Sequence, residues 1–356
     1  MRSKRLYLLL PVLLLLVPLL FVACGEEATP TPGPTPTPVV KEVPVEKSPG
    51  KLTIYTGREE NLVGPIIKQF QDATGVDVRV KYGSNAGLAA TIREEGSNSP
   101  ADIFFATDPG LLGAMSDLLV QLPDSLLSQV PSWARSREGK WVGISGRARV
   151  IVYNTRRLSE ADLPNSILDF TDPRWKGRIG WPPANGSFQA FVTAMRITLG
   201  DEATRRWLEG IQANAPKVYS QNTPIVKAVA DGEIDVGFVN HYYLLRFLQE
   251  EGESFPARNY HPRGKDLGGM MLVNGAGILS TSKNQENARR FLNFMLSQVG
   301  QQYFASQTFE YPLVGGVTIN RLLAPLEQLE LPDIDLSRLD DVQGTQKLLR
   351  EVGVIP

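Results

Sequence analysis

Cysteine is nearly absent from these 356 residues: Cys24 stands alone, and histidine is limited to His241 and His261. One thiol excludes an internal disulfide framework and any cysteine-built zinc or iron–sulfur site, because each needs several thiolates. Two imidazoles leave little from which to assemble a histidine metal site or a nucleophile with its base, so a bound metal must rely on oxygen ligands. Net charge is nearly missing too: 37 Lys and Arg against 38 Asp and Glu give −1. That balance offers no field for gathering nucleic acid or anionic membrane. No HExxH, GxSxG, P-loop or post-strand GxGxxG is present, so no enzyme class is signalled by motif.

What is present begins with an address. Arg2, Lys4 and Arg5 precede eighteen uncharged residues, Leu6 to Ala23, the build of a secretory signal. A retained membrane helix is the alternative; it would call for about 20 apolar residues, and Pro11 and Pro18 interrupt this run. The stretch ends in Val22-Ala23-Cys24-Gly25, which resembles a bacterial lipobox, although Phe21 replaces the usual Leu. The resemblance implies cleavage after residue 23, a lipid on Cys24 and attachment to a membrane through that lipid. Cleavage removes three cations and leaves a net charge of −4. Residues 24–50 then hold seven prolines and no aromatic residue, the composition of a semi-rigid tether.

From Lys51 the pattern is α/β. Leu52 to Tyr55 reads as a strand, Leu62 to Ala73 as a helix stopped at Gly75, Val76 to Tyr82 as an alternating strand, Leu88 to Glu95 as a helix and Ala101 to Ala106 as a strand. This order predicts a largely parallel sheet with ligand-binding loops after the strands, at residues 56–60, 83–87 and 106–110. A second block is expected from Val150, with strands at 178–181, 234–239 and 268–279, a glycine loop at 184–187 entering a helix, and a helical, charged chain end. The run at 234–239 delivers Asn240-His241-Tyr242-Tyr243 to a strand end. Two such blocks suggest a cleft between them.

Adjacent tyrosines at a strand end are ordinary interface aromatics. They are also candidate metal ligands, because a strongly charged Lewis acid lowers the pKa of a bound phenol and the phenolate is a hard oxygen donor suited to a ferric ion. His241 reads as a spacer or supporting group rather than a ligand.

Five motifs then occur in order: Tyr55-Thr56-Gly57-Arg58, Glu94 to Asp102, Ser145-Gly146-Arg147-Ala148-Arg149-Val150, Trp175 to Gly180, and Asn240-His241-Tyr242-Tyr243. Together they resemble the bacterial ferric-binding proteins, the solute-binding components of iron(III) ABC importers, over essentially all of residues 51–356. The resemblance implies a type II periplasmic-binding-protein fold of two lobes, each a mixed sheet flanked by helices, with ligand in the cleft. The lobes are expected at 51–149 with 273–322 and at 150–272 with 323–356. It further implies a monomeric binding protein with no catalysis, which hands ferric iron to a membrane permease.

The family's tyrosine pair falls on Tyr242 and Tyr243 and its post-strand histidine on Glu59, while its glutamate falls near Thr107, beside Asp108. The extra tyrosine of some members is Phe188 here. What remains resembles the anion-assisted site, in which phosphate or carbonate completes the sphere around Fe(III). The implied anion contacts are Asn185, Gly186 and Ser187 at a helix entrance, the amides Asn222 and Asn240, and Arg147 or Arg149. Each arginine has an inter-lobe salt bridge as its alternative. Arg58 is expected at the surface or as a gate, since a cation beside Fe(III) is repelled. The alternative function keeps the fold and binds an organic solute such as a phosphonate, thiamine or a polyamine.

Overall fold

The computed structural model describes residues 49–107 and 109–356. The signal segment, Cys24, nearly all of the tether and Asp108 lie outside the described residues.

Strand β1 (Lys51–Thr56) buries Leu52 and Ile54 and pairs in parallel with β2 (Asp77–Tyr82) and β3 (Ile103–Ala106). Between the first two, α1 (Glu60–Thr74) buries the stripe Val63, Ile66, Ile67 and Phe70, at the spacing of one helix face. It stops at Gly75, whose φ of 71° suits a residue without Cβ. Helix α2 (Asn85–Glu95) follows β2, with the Ser84 hydroxyl accepting from Gly87 N at 3.1 Å. The short helices α3 (Pro109–Ala114) and α4 (Asp124–Leu127) follow β3. The predicted parallel start and its loops are therefore found.

Strand β4 (Val142–Asn154) is buried at all 13 positions and passes straight through residues 149 and 150, where the sequence suggested a new block. Its first half pairs antiparallel with β9 (Met271–Ile278), which in turn pairs with β3. Its second half pairs antiparallel with β7 (Val236–Asn240) and β8 (Ala257–Tyr260). β7 also pairs in parallel with β5 (Ile179–Trp181), and β5 with β6 (Lys217–Val218), giving the order β2-β1-β3-β9-β4-β7-β5-β6 with β8 on β4.

The second half carries α5 (Gly186–Leu199), α6 (Asp201–Ala213), α7 (Asn222–Asp231) and α8 (Tyr242–Glu251). Trp181, Phe188, Phe191, Trp207 and Phe238 form one aromatic cluster, with the Phe188 ring edge-on to Trp181 at 5.6 Å. This cluster seats α5, so that its N-terminus is fixed beside the end of β7.

After β9 come α9 (Gln285–Leu296) and α10 (Gln298–Tyr303). The chain end corrects the expectation of a helical tail: only α11 (Val342–Glu351) is an α-helix beyond residue 308. Pro312, Pro325 and Pro332 each remove a helix donor, and the segment holding them runs over the surface in short turns.

Candidate functional site

β7 ends at Asn240, and the chain turns through His241 directly into α8. His241 is fully buried; its Nδ1 accepts from Ala148 N at 3.0 Å, and its Nε2 lies 2.8 Å from the Phe309 carbonyl. Burial holds its pKa down to about 3. The ring is therefore neutral, donating from Nε2 and accepting at Nδ1, and it fastens β4 and the 309–311 segment to the end of β7, as the supporting-group reading had it.

The fastener sets where α8 begins. Tyr242 and Tyr243 occupy the first turn of this helix with their rings stacked, centroids 4.3 Å apart at 28°. The Arg246 guanidinium stands 5.2 Å from the Tyr242 centroid and 5.7 Å from that of Tyr243. Residues three and four apart share a helix face, so this stacking is set by sequence spacing. Burial raises the Tyr243 phenol well above its ordinary value, with Tyr242 adding to the effect and Arg147 and Arg246 opposing it.

These tyrosines line a cleft of about 220 Å³ whose wall also includes Glu59, Arg147, Asn185, Gly186, Ser187 and Asn240. Much of the lining comes from the loops after the three parallel strands: Gly57, Arg58 and Glu59 after β1, Asn85 after β2, Thr107 and Pro109 after β3. Asn85 Nδ2 donates to Thr107 Oγ1, and Asn85 Oδ1 accepts from Thr107 N at 3.3 Å. A Cβ at Gly57 would sit 1.7 Å from Asn85 Oδ1, so any larger residue there displaces the Asn85 amide from Thr107. Glu59 is exposed, at the N-cap position of α1, with no cap bond from its side chain.

The anion contacts expected from sequence divide into two layers. Asn185 caps α5, its Oδ1 accepting from Ser187 N at 3.0 Å and from Ser187 Oγ at 2.7 Å, while its Nδ2 donates to Gln221. Arg147 lines the cleft and donates to the Thr107 carbonyl. Arg149 and Asn222 stand behind the wall. Arg149 is 2% exposed and donates to Asn240 Oδ1 at 3.1 Å and toward Ser187 Oγ at 3.4 Å. Burial, with Arg147 second, lowers its pKa to about 9. Asn222 Oδ1 accepts from Asn240 N, and its Nδ2 is buried with no partner among the described residues. Neither arginine forms an ion pair with a carboxylate among the described residues, which replaces the inter-lobe salt-bridge alternative with contacts to neutral oxygens.

Arg58 departs from expectation, and several residues of the lining were not foreseen. Arg58 is not at the surface: its side chain is 2% exposed and paired with Glu310 at 2.8 Å. Asn85 carries no signal of its own in the sequence, although the loop holding it does. Leu62, Ala190 and Leu272 also line the cleft, and as apolar residues on helices and a strand they carry no sequence signal beyond core. Phe188, where some family members have a tyrosine, is wholly buried in the aromatic cluster.

Among the described residues no cluster of three or more His, Cys, Asp or Glu could hold a metal. The acidic oxygen donors lining this cleft, among the described residues, are two phenols and one carboxylate, hard ligands that match a trivalent ion better than a soft one.

Known proteins place these features in company. The family described as bacterial extracellular solute-binding protein matches residues 98–333. The major ferric iron-binding protein of Neisseria meningitidis is 34% identical over 311 residues, covering 85% of this chain and 93% of that protein. The Fe(3+)-binding periplasmic protein of Serratia marcescens is 33% identical over 308 residues, covering 85% and 90%. The crystal structure of iron-bound HitA from Pseudomonas aeruginosa superimposes with a TM-score of 0.78 at 35% identity, covering 85% of this chain and 99% of that one.

Proposed function

Because this chain belongs to the bacterial extracellular solute-binding proteins, in their ferric-iron-binding branch, we propose that its cleft captures Fe(III) through Tyr242 and Tyr243, assisted by a bound anion. As a member it is an extracytoplasmic iron-transport protein with a periplasmic-binding architecture, not an enzyme. The observation that carries the finer reading is the stacked tyrosine pair at the N-terminus of α8, facing a cleft with no competing histidine or cysteine.

In this reading both phenols ligate as phenolates, and Glu59 reaches in from the loop after β1 as a third oxygen donor. Thr107, which brings no carboxylate, leaves part of the sphere to an exogenous oxyanion of the phosphate or carbonate kind. Asn185, Gly186, Ser187 and Asn240 contact that anion, with Arg147 beside it, and Arg149 and Asn222 support them from behind. The lobes are residues 51–149 with 273–322 and 150–272 with 323–356, swinging on the crossing strands β4 and β9. Lipid attachment at Cys24, a monomeric state and delivery to an ABC permease complete the proposal.

Titration of the protein with ferric nitrilotriacetate tests it. Tyrosinate on Fe(III) gives a visible charge-transfer band, so the protein colours and saturates at one iron per chain; a colourless protein that leaves iron on the chelator sinks the reading. Glu59→Ala lowers affinity less than loss of a tyrosine does, about tenfold, because water or anion can replace an exposed carboxylate. Competition with the chelator measures this. Asn185→Ala frees the Ser187 amide and hydroxyl from their cap and removes an anion contact. Its iron affinity then responds less to added phosphate or carbonate, by about tenfold across the titration. Unaltered anion dependence would take Asn185 out of the site.

A further inference from the structure

Arg58 is a cation in the wall of a cleft read as a site for a trivalent cation, and its neighbour in sequence is the candidate ligand Glu59. The structure shows how that is tolerated. Arg58 Nη2 donates to Glu310 Oε1 at 2.8 Å, with side-chain exposures of 2% and 0%. The other carboxylate oxygen, Oε2, accepts from Ser145 Oγ at 2.6 Å and from Asn274 Nδ2 at 3.1 Å. Ser145 lies on β4 and Asn274 on β9, directly paired across the two strands, and Asn274 Nδ2 also donates to Ser145 Oγ at 2.9 Å.

A fully buried ion pair is a poor device for stability, because desolvation of both charges offsets most of their attraction. Its location suggests another use. Glu310 sits where the end of β1, the crossing strands and the 309–311 segment meet, and it is the carboxylate bound to the Arg58 guanidinium. We propose that Glu310 is a positioning residue for the cargo site, supplying the counter-charge that lets the Arg58 cation stand in a cleft built for Fe(III). The role rests on the ferric reading of the cleft. Without Glu310 the guanidinium would face the ion unbalanced, and at the low effective dielectric of a buried site this repulsion costs at least about tenfold in affinity.

Charge and scaffolding make opposite predictions for anions and cations. Glu310→Gln keeps the shape and an acceptor but removes the charge. The expected result is Fe(III) affinity lowered at least about tenfold, by competition against nitrilotriacetate, while inorganic phosphate binds the iron-free chain as well as before or better, by calorimetry. A loosened scaffold would weaken both ligands together. The neutral pair Arg58→Gln with Glu310→Gln removes both charges and brings iron affinity back to within about threefold of the wild type. The role is overturned by a single variant that loads iron like the wild type, by parallel loss of iron and phosphate, or by a double variant as weak as the single. Should Glu310→Gln not fold, the double variant decides alone: near-wild-type iron binding supports the role and a tenfold loss overturns it. A wild-type chain that takes no Fe(III) overturns the ferric reading and this role with it, whereas equal loading of wild type and Glu310→Gln overturns this role only.

Discussion

The double variant Tyr242→Phe with Tyr243→Phe stays colourless when offered ferric nitrilotriacetate and loses at least about 10⁴-fold in iron affinity. The magnitude follows from the chemistry of the ring substituents. Groups that merely support a metal ligand cost about 10- to 100-fold when removed, so a ligand itself costs at least the upper figure, and two cost its square. Phenyl in place of phenol deletes the lone pair while keeping the stacked rings, whose centroids lie 4.3 Å apart, and the Arg246 contact above them. Folding is therefore retained, and circular dichroism and thermal melting should match the wild type. Each single variant loses about 100-fold and shifts the band as one phenolate leaves. A double variant that still colours would take the pair out of the site.

His241→Ala is expected to destabilise the fold by about 3–5 kcal/mol. The imidazole is wholly buried, and truncation strands two backbone groups, the Ala148 N–H and the Phe309 carbonyl. Each buried unpartnered group costs about 1–3 kcal/mol, and the cavity left by the ring adds to that. Urea denaturation measures the loss as a lower midpoint with an unchanged slope. His241→Gln, whose amide can donate and accept, recovers part of it. A loss below about 1 kcal/mol would mean that water replaces the ring in both bonds.

Several features were legible in the sequence for reasons that are local. Short β-rich apolar runs marked β1 and β3, alternation marked β2, and the parallel order followed from the helices between them. Because ligands of such sheets gather at loops after strands, the segments holding Gly57, Glu59, Asn85 and Thr107 could be named before their contacts were known. The packing reading of the tyrosine pair is found, since Tyr242 is 5% exposed and packs as a core aromatic, and the same side chain also lines the cleft. What stayed hidden depends on distance along the chain. Arg58 was expected at the surface or as a gate because a cation beside Fe(III) is repelled, and the partner that neutralises it, Glu310, is 252 residues away. Arg149 and Asn222 belong behind the wall rather than in it, a matter of which pleat faces the cleft, and composition carries no record of that. The tail read as helical with charged faces shows the reverse error, in which the prolines that forbid a helix over much of it were given no weight.

Strand β4, shared by both halves of the sheet, bears on how such a chain is made. Its pairing with β9 and the pairing of β3 with β9 both wait for residues 271–278, so the first half of the polypeptide cannot close its own sheet while the rest is still being synthesised. The Arg58 bond to Glu310 comes later still. Contacts this remote slow folding, because long loops must be closed before any pairing rewards them. For a protein that works outside the cytoplasm, that delay is useful: a nascent chain unable to finish its fold remains threadable, and the strand joining the two halves postpones completion until most of the chain has been delivered.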